Sequence, residues 1–165
     1  EEGQIPIYYN HFNTGRPAPN ETATNYVSAY IDLKNSPKFP FGYGLSYTTF
    51  NYSDLQLSKK VMKKNETITV SFTLTNSGKF DGEEVVQLYL KDQVGSVVRP
   101  VKELRDFQKV FLKAGASQKI TFTIDKEKLA FYNAKLEWAP EPGAFEVQLG
   151  ASSADIRLKD NFELL

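Results

Sequence analysis

A period-two alternation that begins near Asp54 constrains this chain more than any other feature. Ile68, Val70, Phe72 and Leu74 alternate with Thr67, Thr69, Ser71, Thr73 and Thr75, which makes one face of an extended strand apolar and the other hydroxylated. The pattern recurs at Val86, Leu88 and Leu90 against Val85, Gln87 and Tyr89, giving one apolar face and one mixed outer face. It returns at Ile120, Phe122 and Ile124, and again at Phe145, Val147 and Leu149. Val110 and Leu112 run into Ala114-Gly115, and Ile156 to Leu164 predicts a closing edge strand. Asn76-Ser77-Gly78, Asp81-Gly82, Ala114-Gly115 and Pro142-Gly143 punctuate the runs as turns. One helical turn is expected at Asp125–Phe131, capped by Asp125. About seven strands in about 110 residues is an all-β sandwich of immunoglobulin-like size.

The first third of the chain follows other rules. Seven of the nine tyrosines (8, 9, 26, 30, 43, 47 and 52) and four of the twelve phenylalanines (12, 39, 41 and 50) lie in residues 1–52. They are mixed with Pro, Gly and Asn and show no sustained period. Such a segment cannot easily build its own core, yet it is too apolar to be a free linker. It is expected to lie against something. The expected fold class is therefore an all-β sandwich carrying an irregular, aromatic-rich N-terminal extension.

Composition removes several functions. Lys plus Arg and Asp plus Glu both number 20, so the formal net charge is zero, and no global field draws nucleic acid or an anionic membrane. The basic tract Lys59-Lys60-Val61-Met62-Lys63-Lys64 is short and lacks interleaved aromatics, so it reads as a solvated turn. No apolar run approaches the roughly 20 residues that span a bilayer. The start, EEGQIPIYY, is polar and then strand-like, without the features of a secretory signal. Cysteine is absent, which excludes disulfides, thiolate metal sites and a Cys nucleophile.

No catalytic constellation stands out. His11 is the single histidine, and no G-x-S-x-G element accompanies it, so it reads as packed or hydrogen-bonded structure rather than as a base. Asp81, Glu83 and Glu84 cluster in a loop that lacks the glycine-anchored frame of a calcium site, so they read as a solvated hairpin turn. Asp32 and Glu137, beside Trp138, read as structural or rim carboxylates rather than as a glycosidase pair. Three N-x-[ST] sequons begin at Asn20, Asn51 and Asn65, a number that a chain rich in Asn, Ser and Thr produces by chance. No catalytic, cofactor-binding or metal-ligating residue is assigned, and no cofactor is expected.

The densest motif is Phe39-Pro40-Phe41-Gly42-Tyr43-Gly44-Leu45-Ser46-Tyr47-Thr48-Thr49-Phe50. Pro40 fixes an extended entry, and Gly42 and Gly44 allow backbone conformations closed to other residues. Its five rings need a surface, so it reads as a structured connector clamped between two bodies, with sugar stacking as the rival. Phe41, Tyr43, Tyr47 and Trp138 are the candidate contacts to sugar or to a neighbouring domain.

This motif resembles the signature that precedes the fibronectin type III-like domain of family-three glycoside hydrolases, the β-glucosidases and β-xylosidases. GQIPIYYNHFNTGRP at 3–17 is similar to the closing strand and following loop of that family's α/β-sandwich domain. YIDLKNSPKFPFGYGLSYT at 30–48 resembles the run-in to the connector. RPVKELRDFQKVFLKAGASQKITFTI at 99–124, LAFYNAKLEW at 129–138 and EPGAFEVQLGASSADI at 141–156 resemble the sandwich. The resemblance implies residues 1–52 as the tail of the α/β domain plus connector, and 53–165 as a fibronectin type III-like domain. It also implies a retaining parent enzyme with an Asp nucleophile on a TIM barrel and a Glu acid/base on the α/β domain. Neither has a counterpart here, so the chain alone is expected to be inactive. The implied partners are the catalytic domains of the parent chain; an oligosaccharide and a homodimer are alternatives, and nucleic acid and membrane are not expected. The implied location is periplasmic or secreted. The resemblance further suggests that loops such as Asp92–Pro100 shape an active-site rim, and that the single Trp is buried as in related sandwiches.

Overall fold

The computed structural model describes residues 5–13, 15–18, 20 and 25–165. Parts of the expected 3–17 strand and loop, and of the Asn20 sequon, therefore lie outside the described residues.

Ten strands and one helical turn follow in order: β1 (Phe50–Leu57), β2 (Val61–Met62), β3 (Ile68–Asn76), β4 (Gly82–Asp92), β5 (Glu103–Leu112), β6 (Ser117–Ile124), α1 (Lys126–Leu129), β7 (Phe131–Tyr132), β8 (Trp138–Ala139), β9 (Gly143–Gly150) and β10 (Ile156–Leu164). One sheet has the order β1-β3-β6, the other β2-β10-β9-β4-β5, and β7 and β8 form a separate two-stranded ribbon. The seven long strands make a two-sheet, all-β sandwich, as the alternation predicts.

The alternation decides which residues meet between the sheets. Ile68, Val70, Phe72 and Leu74 of β3 and Ile120, Phe122 and Ile124 of β6 face Val86, Leu88 and Leu90 of β4 and Phe145, Val147 and Leu149 of β9 in one core. Tyr52 stacks on Phe72 at 5.4 Å, and Phe145 on Phe162 at 5.4 Å. At the open flank Gln108 donates to the Thr121 carbonyl at 2.7 Å and Lys128 pairs with Asp106, joining β5 to β6 and α1. Asp125 caps α1 through the Lys128 amide at 3.0 Å.

Two strands differ from the sequence pattern. β1 begins at Phe50, four residues before the alternation becomes visible, because a bulge between Ser53 and Gln56 shifts its register. Asp54 occupies the left-handed region there, at φ 56°. Phe50 and Tyr52 point inward before the bulge, and Leu55 and Leu57 pack on the core after it. The parity flips, which erases the period. β10 is not a bare edge along its whole length, because Lys60-to-Met62 backbone lies parallel to its end and β2 pairs with Glu163 and Leu164.

Candidate functional site

The outer face of the five-stranded sheet is covered by the aromatic extension. In a strand with one solvated face, Gln87 and Tyr89 would be wet; here both are buried. Tyr9 lies edge-on to Tyr89 at 5.8 Å and stacks on Phe41 at 4.2 Å, and its hydroxyl accepts from the Leu104 amide at 3.2 Å. His11 extends the contact, its carbonyl accepting from the Val101 amide at 2.9 Å. Tyr89 donates to Gln87, whose Nε2 donates to the carbonyls of Gly42 at 3.1 Å and Ala151 at 2.8 Å. Lys102, just before β5, reaches in to the Ser153 carbonyl at 2.7 Å, and burial pulls its ammonium below its ordinary value. Part of the surface that the extension needs is thus the sandwich itself.

The connector is fixed at both ends. Tyr43 N donates to the Pro40 carbonyl, and Ser153 N to the Phe41 carbonyl. Gly42 sits at φ 78°, and a Cβ there would come within 2.2 Å of Gln87 Oε1, so this position requires glycine on two counts. Gly44 does not: its φ is not positive and open space surrounds it. Of the two glycines in the motif, Gly42 uses that freedom and Gly44 does not, because the tight turn closes at Tyr43. At the other end buried Asn76 accepts from Thr48 Oγ1 at 2.6 Å and from Gly78 N, and donates to the Phe80 and Leu112 carbonyls.

Between the connector and the sheet opens a groove of about 640 Å³. Phe41, Tyr43 and Leu45 form one wall, and Val85, Leu104 and Phe107 the other. Glu84 lies in its floor and accepts from the Tyr52 hydroxyl at 2.8 Å. Desolvation raises the Glu84 carboxyl above its ordinary value, and burial beside that carboxylate raises Tyr52. Arg157 packs over Tyr52 but is already committed. It makes a two-point pair with Asp155 at 2.8 and 2.7 Å, and donates to the Phe50 carbonyl at 2.8 Å.

Beyond the groove the connector is bare. Leu45 and Tyr47 are 89% and 97% exposed, and Phe39, Phe41 and Tyr43 are about half exposed or more. Phe41 and Tyr43 share the groove wall, whereas Trp138 lies elsewhere in the fold, on β8. Trp138 is 51% exposed, against the expectation of a buried Trp. The reason is topological: the β7–β8 ribbon lies outside both sheets, and while Phe131 turns inward at 3% exposure, Trp138 pairs with Tyr132 on its outer face. Trp138 meets Tyr132 edge-to-face at 5.2 Å, and its indole N–H donates to Glu127 at 3.3 Å.

The other residues singled out by sequence are spent locally. Asp81 accepts from the Ala114 amide, and Glu83 pairs with Lys109 at 2.7 Å. Glu137 accepts from Asn133, and His11 contacts the Phe12 carbonyl. Lys59 and Lys60 pair with Glu66 and Asp160. Asp32 is exposed in a bend. Among the described residues no group of three or more His, Asp or Glu could hold a metal ion, and no helix is long and apolar enough to cross a membrane. Sequence reasoning missed Tyr9, Gln87, Asn76 and Arg157, whose roles depend on chain reversals that no local pattern encodes. The Asp92–Pro100 loop is held from below by Arg99, which pairs with Asp92 at 3.4 Å and Glu103 at 2.7 Å and lies 3.9 Å over the Phe131 ring. Ser96 at its tip bonds Glu141 twice, at 2.8 and 2.6 Å.

Comparison with known proteins matches this geometry. Residues 84–153 match the fibronectin type III-like domain family. A periplasmic β-glucosidase of Salmonella typhimurium is 47% identical over 99% of this chain and 21% of its own length. A putative β-xylosidase of Formosa agariphila is 42% identical over 98% of the chain and 20% of its own. The structure of β-glucosidase from Listeria innocua in complex with glucose superposes with a TM-score of 0.92 at 44% identity, covering 98% of this chain and 22% of that one. The chain spans about a fifth of the length of these relatives.

Proposed function

The chain belongs with the C-terminal, fibronectin type III-like end of family-three β-glucosidases and β-xylosidases, and from that premise we propose that it is the non-catalytic brace of such an enzyme. In this reading residues 53–165, joined by Phe50–Tyr52 at the head of β1, are the accessory sandwich, and the rest of residues 1–52 is the tail of the preceding α/β domain plus the connector. The parent is a retaining glycosidase that removes terminal β-D-glucosyl residues, and the chain by itself turns over no glycoside. The parent resides in the periplasm or is secreted, as the Salmonella relative's name suggests.

One observation carries the reading. The extension is anchored to the sandwich on one side by Tyr9, Phe41 and Gln87, while Leu45 and Tyr47 stay bare on the other. A monomeric domain rarely leaves a contiguous apolar patch in the open unless a partner covers it. The catalytic domains of the parent are that partner, and the ion-locked Asp92–Pro100 loop is a rigid element available to their rim. Deleting residues 53–165 from the full-length enzyme is expected to lower both its melting temperature and its turnover. Unchanged melting and kinetics would remove the brace from consideration. Hydrolysis of p-nitrophenyl β-glucoside and β-xyloside by the 165-residue chain is expected to stay at the buffer rate.

The exposed Tyr132–Trp138 pair favours a second reading, a saccharide platform on the β7–β8 ribbon. Heat from titration with cello- or xylo-oligosaccharides, lost in Trp138→Ala, would support it. A homodimer through the bare connector is the remaining alternative, and light scattering on the chain and the full-length enzyme separates it from the brace.

A further inference from the structure

The groove under the connector has a chemistry of its own. Its lining holds three carboxylates, Glu83, Glu84 and Asp155, against one guanidinium, Arg157. Asp155 is satisfied by Arg157, and Glu83 pairs with Lys109. Glu84 is different: among the described residues its hydrogen-bond donor is the neutral Tyr52 hydroxyl, and the positive charge that acts on it, Arg157, is already paired with Asp155. A half-buried carboxylate with one neutral donor is a poor arrangement unless a further donor arrives. The walls around it are aromatic and aliphatic: Tyr43 and Leu45 from the connector, Val85 and Phe107 from the sheet.

Resting on the brace reading, we infer that this groove receives an arginine or lysine side chain from a domain of the same parent chain outside these 165 residues. The groove's negative balance selects a cation over a neutral sugar ring. The apolar walls suit the methylene stem of such a side chain, and an arginine would also present its planar face to Phe107 or Tyr43. A source is at hand, because about four-fifths of each relative lies outside the region that this chain matches. The result is an interdomain ion pair that closes over Glu84 and lays Leu45 and Tyr47 against the same neighbour.

Hydrogen exchange of the full-length enzyme beside the 165-residue chain tests this, read at the amides of Gly44, Leu45 and Tyr47. These are expected to exchange at least about tenfold more slowly in the full-length enzyme, a factor worth roughly 1.4 kcal/mol. Glu84→Gln keeps an acceptor for Tyr52 but removes the charge, and is expected to give back most of that protection in the full-length enzyme only. Equal exchange in both proteins overturns the docking. Protection that Glu84→Gln leaves intact overturns the ion pair. Protection of the isolated chain by cellotriose or xylotriose, lost in Phe107→Ala, overturns it in favour of a sugar site. None of these outcomes depends on whether deletion of residues 53–165 alters turnover, so the brace and the ion pair fail separately.

Discussion

The sandwich and the extension bury their aromatic residues by opposite means. In the sandwich, Tyr52, Phe72, Phe145 and Phe162 stack in pairs between two sheets and are almost wholly buried. In the extension, Tyr9 meets Phe41 on one side and Tyr89 on the other, while Tyr26 and Tyr47 stay almost wholly exposed. Strands supply their own second layer once two sheets face each other. A segment of turns and bends has no such face and must borrow one. The extension borrows the outer face of β4 for some of its rings and leaves the rest for a neighbour.

The sharpest way to break this contrast is a deletion in the core. Phe72 is 1% exposed at the centre of β3 and stacks on Tyr52. Phe72→Ala is expected to cost about 3–5 kcal/mol from lost burial plus the cavity left behind. Urea unfolding of the chain measures it, with the midpoint falling and the slope unchanged. A cost below about 1 kcal/mol would mean that the sandwich does not hold itself together as described.

Tyr9 tests the borrowed face. Tyr9→Ala removes the stack on Phe41, the edge contact to Tyr89 and the acceptor for the Leu104 amide. The expected loss is about 1–2 kcal/mol, since one ring in a half-wet site is worth less than one in a core. Its distinctive sign is local: Gly42 and Val101 amides should exchange faster while the β3 amides do not change. A uniform rise across the sandwich would merge the two regions into one.

How far the sequence foretold each region follows from the same difference. β3, β4, β6 and β9 were legible because burial on one face of a strand writes a period of two. β1 was not, because the Asp54 bulge flips its parity between Tyr52 and Leu55. Trp138 was misplaced because residue type sets hydrophobicity, whereas topology put β8 outside the sheets. At the site, the rings of Phe41 and Tyr43 could be picked from composition. Gln87 could not, since its link to the Gly42 carbonyl spans 45 residues. Glu84 was read in a loop cluster with Asp81 and Glu83, although β4 turns it inward toward Tyr52.

A smaller effect separates the groove from the core by pH. Desolvation raises the folded-state Glu84 carboxyl above its ordinary 4.5. Just above that value the folded protein keeps a proton that the unfolded chain has released, so stability falls as pH rises through this window. Asp92 is raised as well and acts in the same direction, whereas Asp155, held low by Arg157, acts oppositely at lower pH. Glu84→Gln removes one contribution and leaves the others. Its melting temperature relative to the unsubstituted chain should therefore rise as pH climbs above that value. A difference that stays flat with pH would mean that water solvates Glu84 in the groove.

The smallest effect within the chain is the most informative between chains. Tyr47 is 97% exposed, so Tyr47→Ser is expected to change the stability of the 165-residue chain by no more than about 0.5 kcal/mol. A bare ring has no contacts to lose. If a neighbouring domain covers the connector, the same substitution in the full-length enzyme removes a buried aromatic contact, at a cost of about 2 kcal/mol or more. Thermal melts of both proteins, each with and without the substitution, give the two numbers directly. Equal small effects would make the bare rings a solvent-facing feature and leave Tyr9 and Phe41 as the extension's whole attachment. A large effect in the chain alone would mean that Tyr47 already has a partner within the fold.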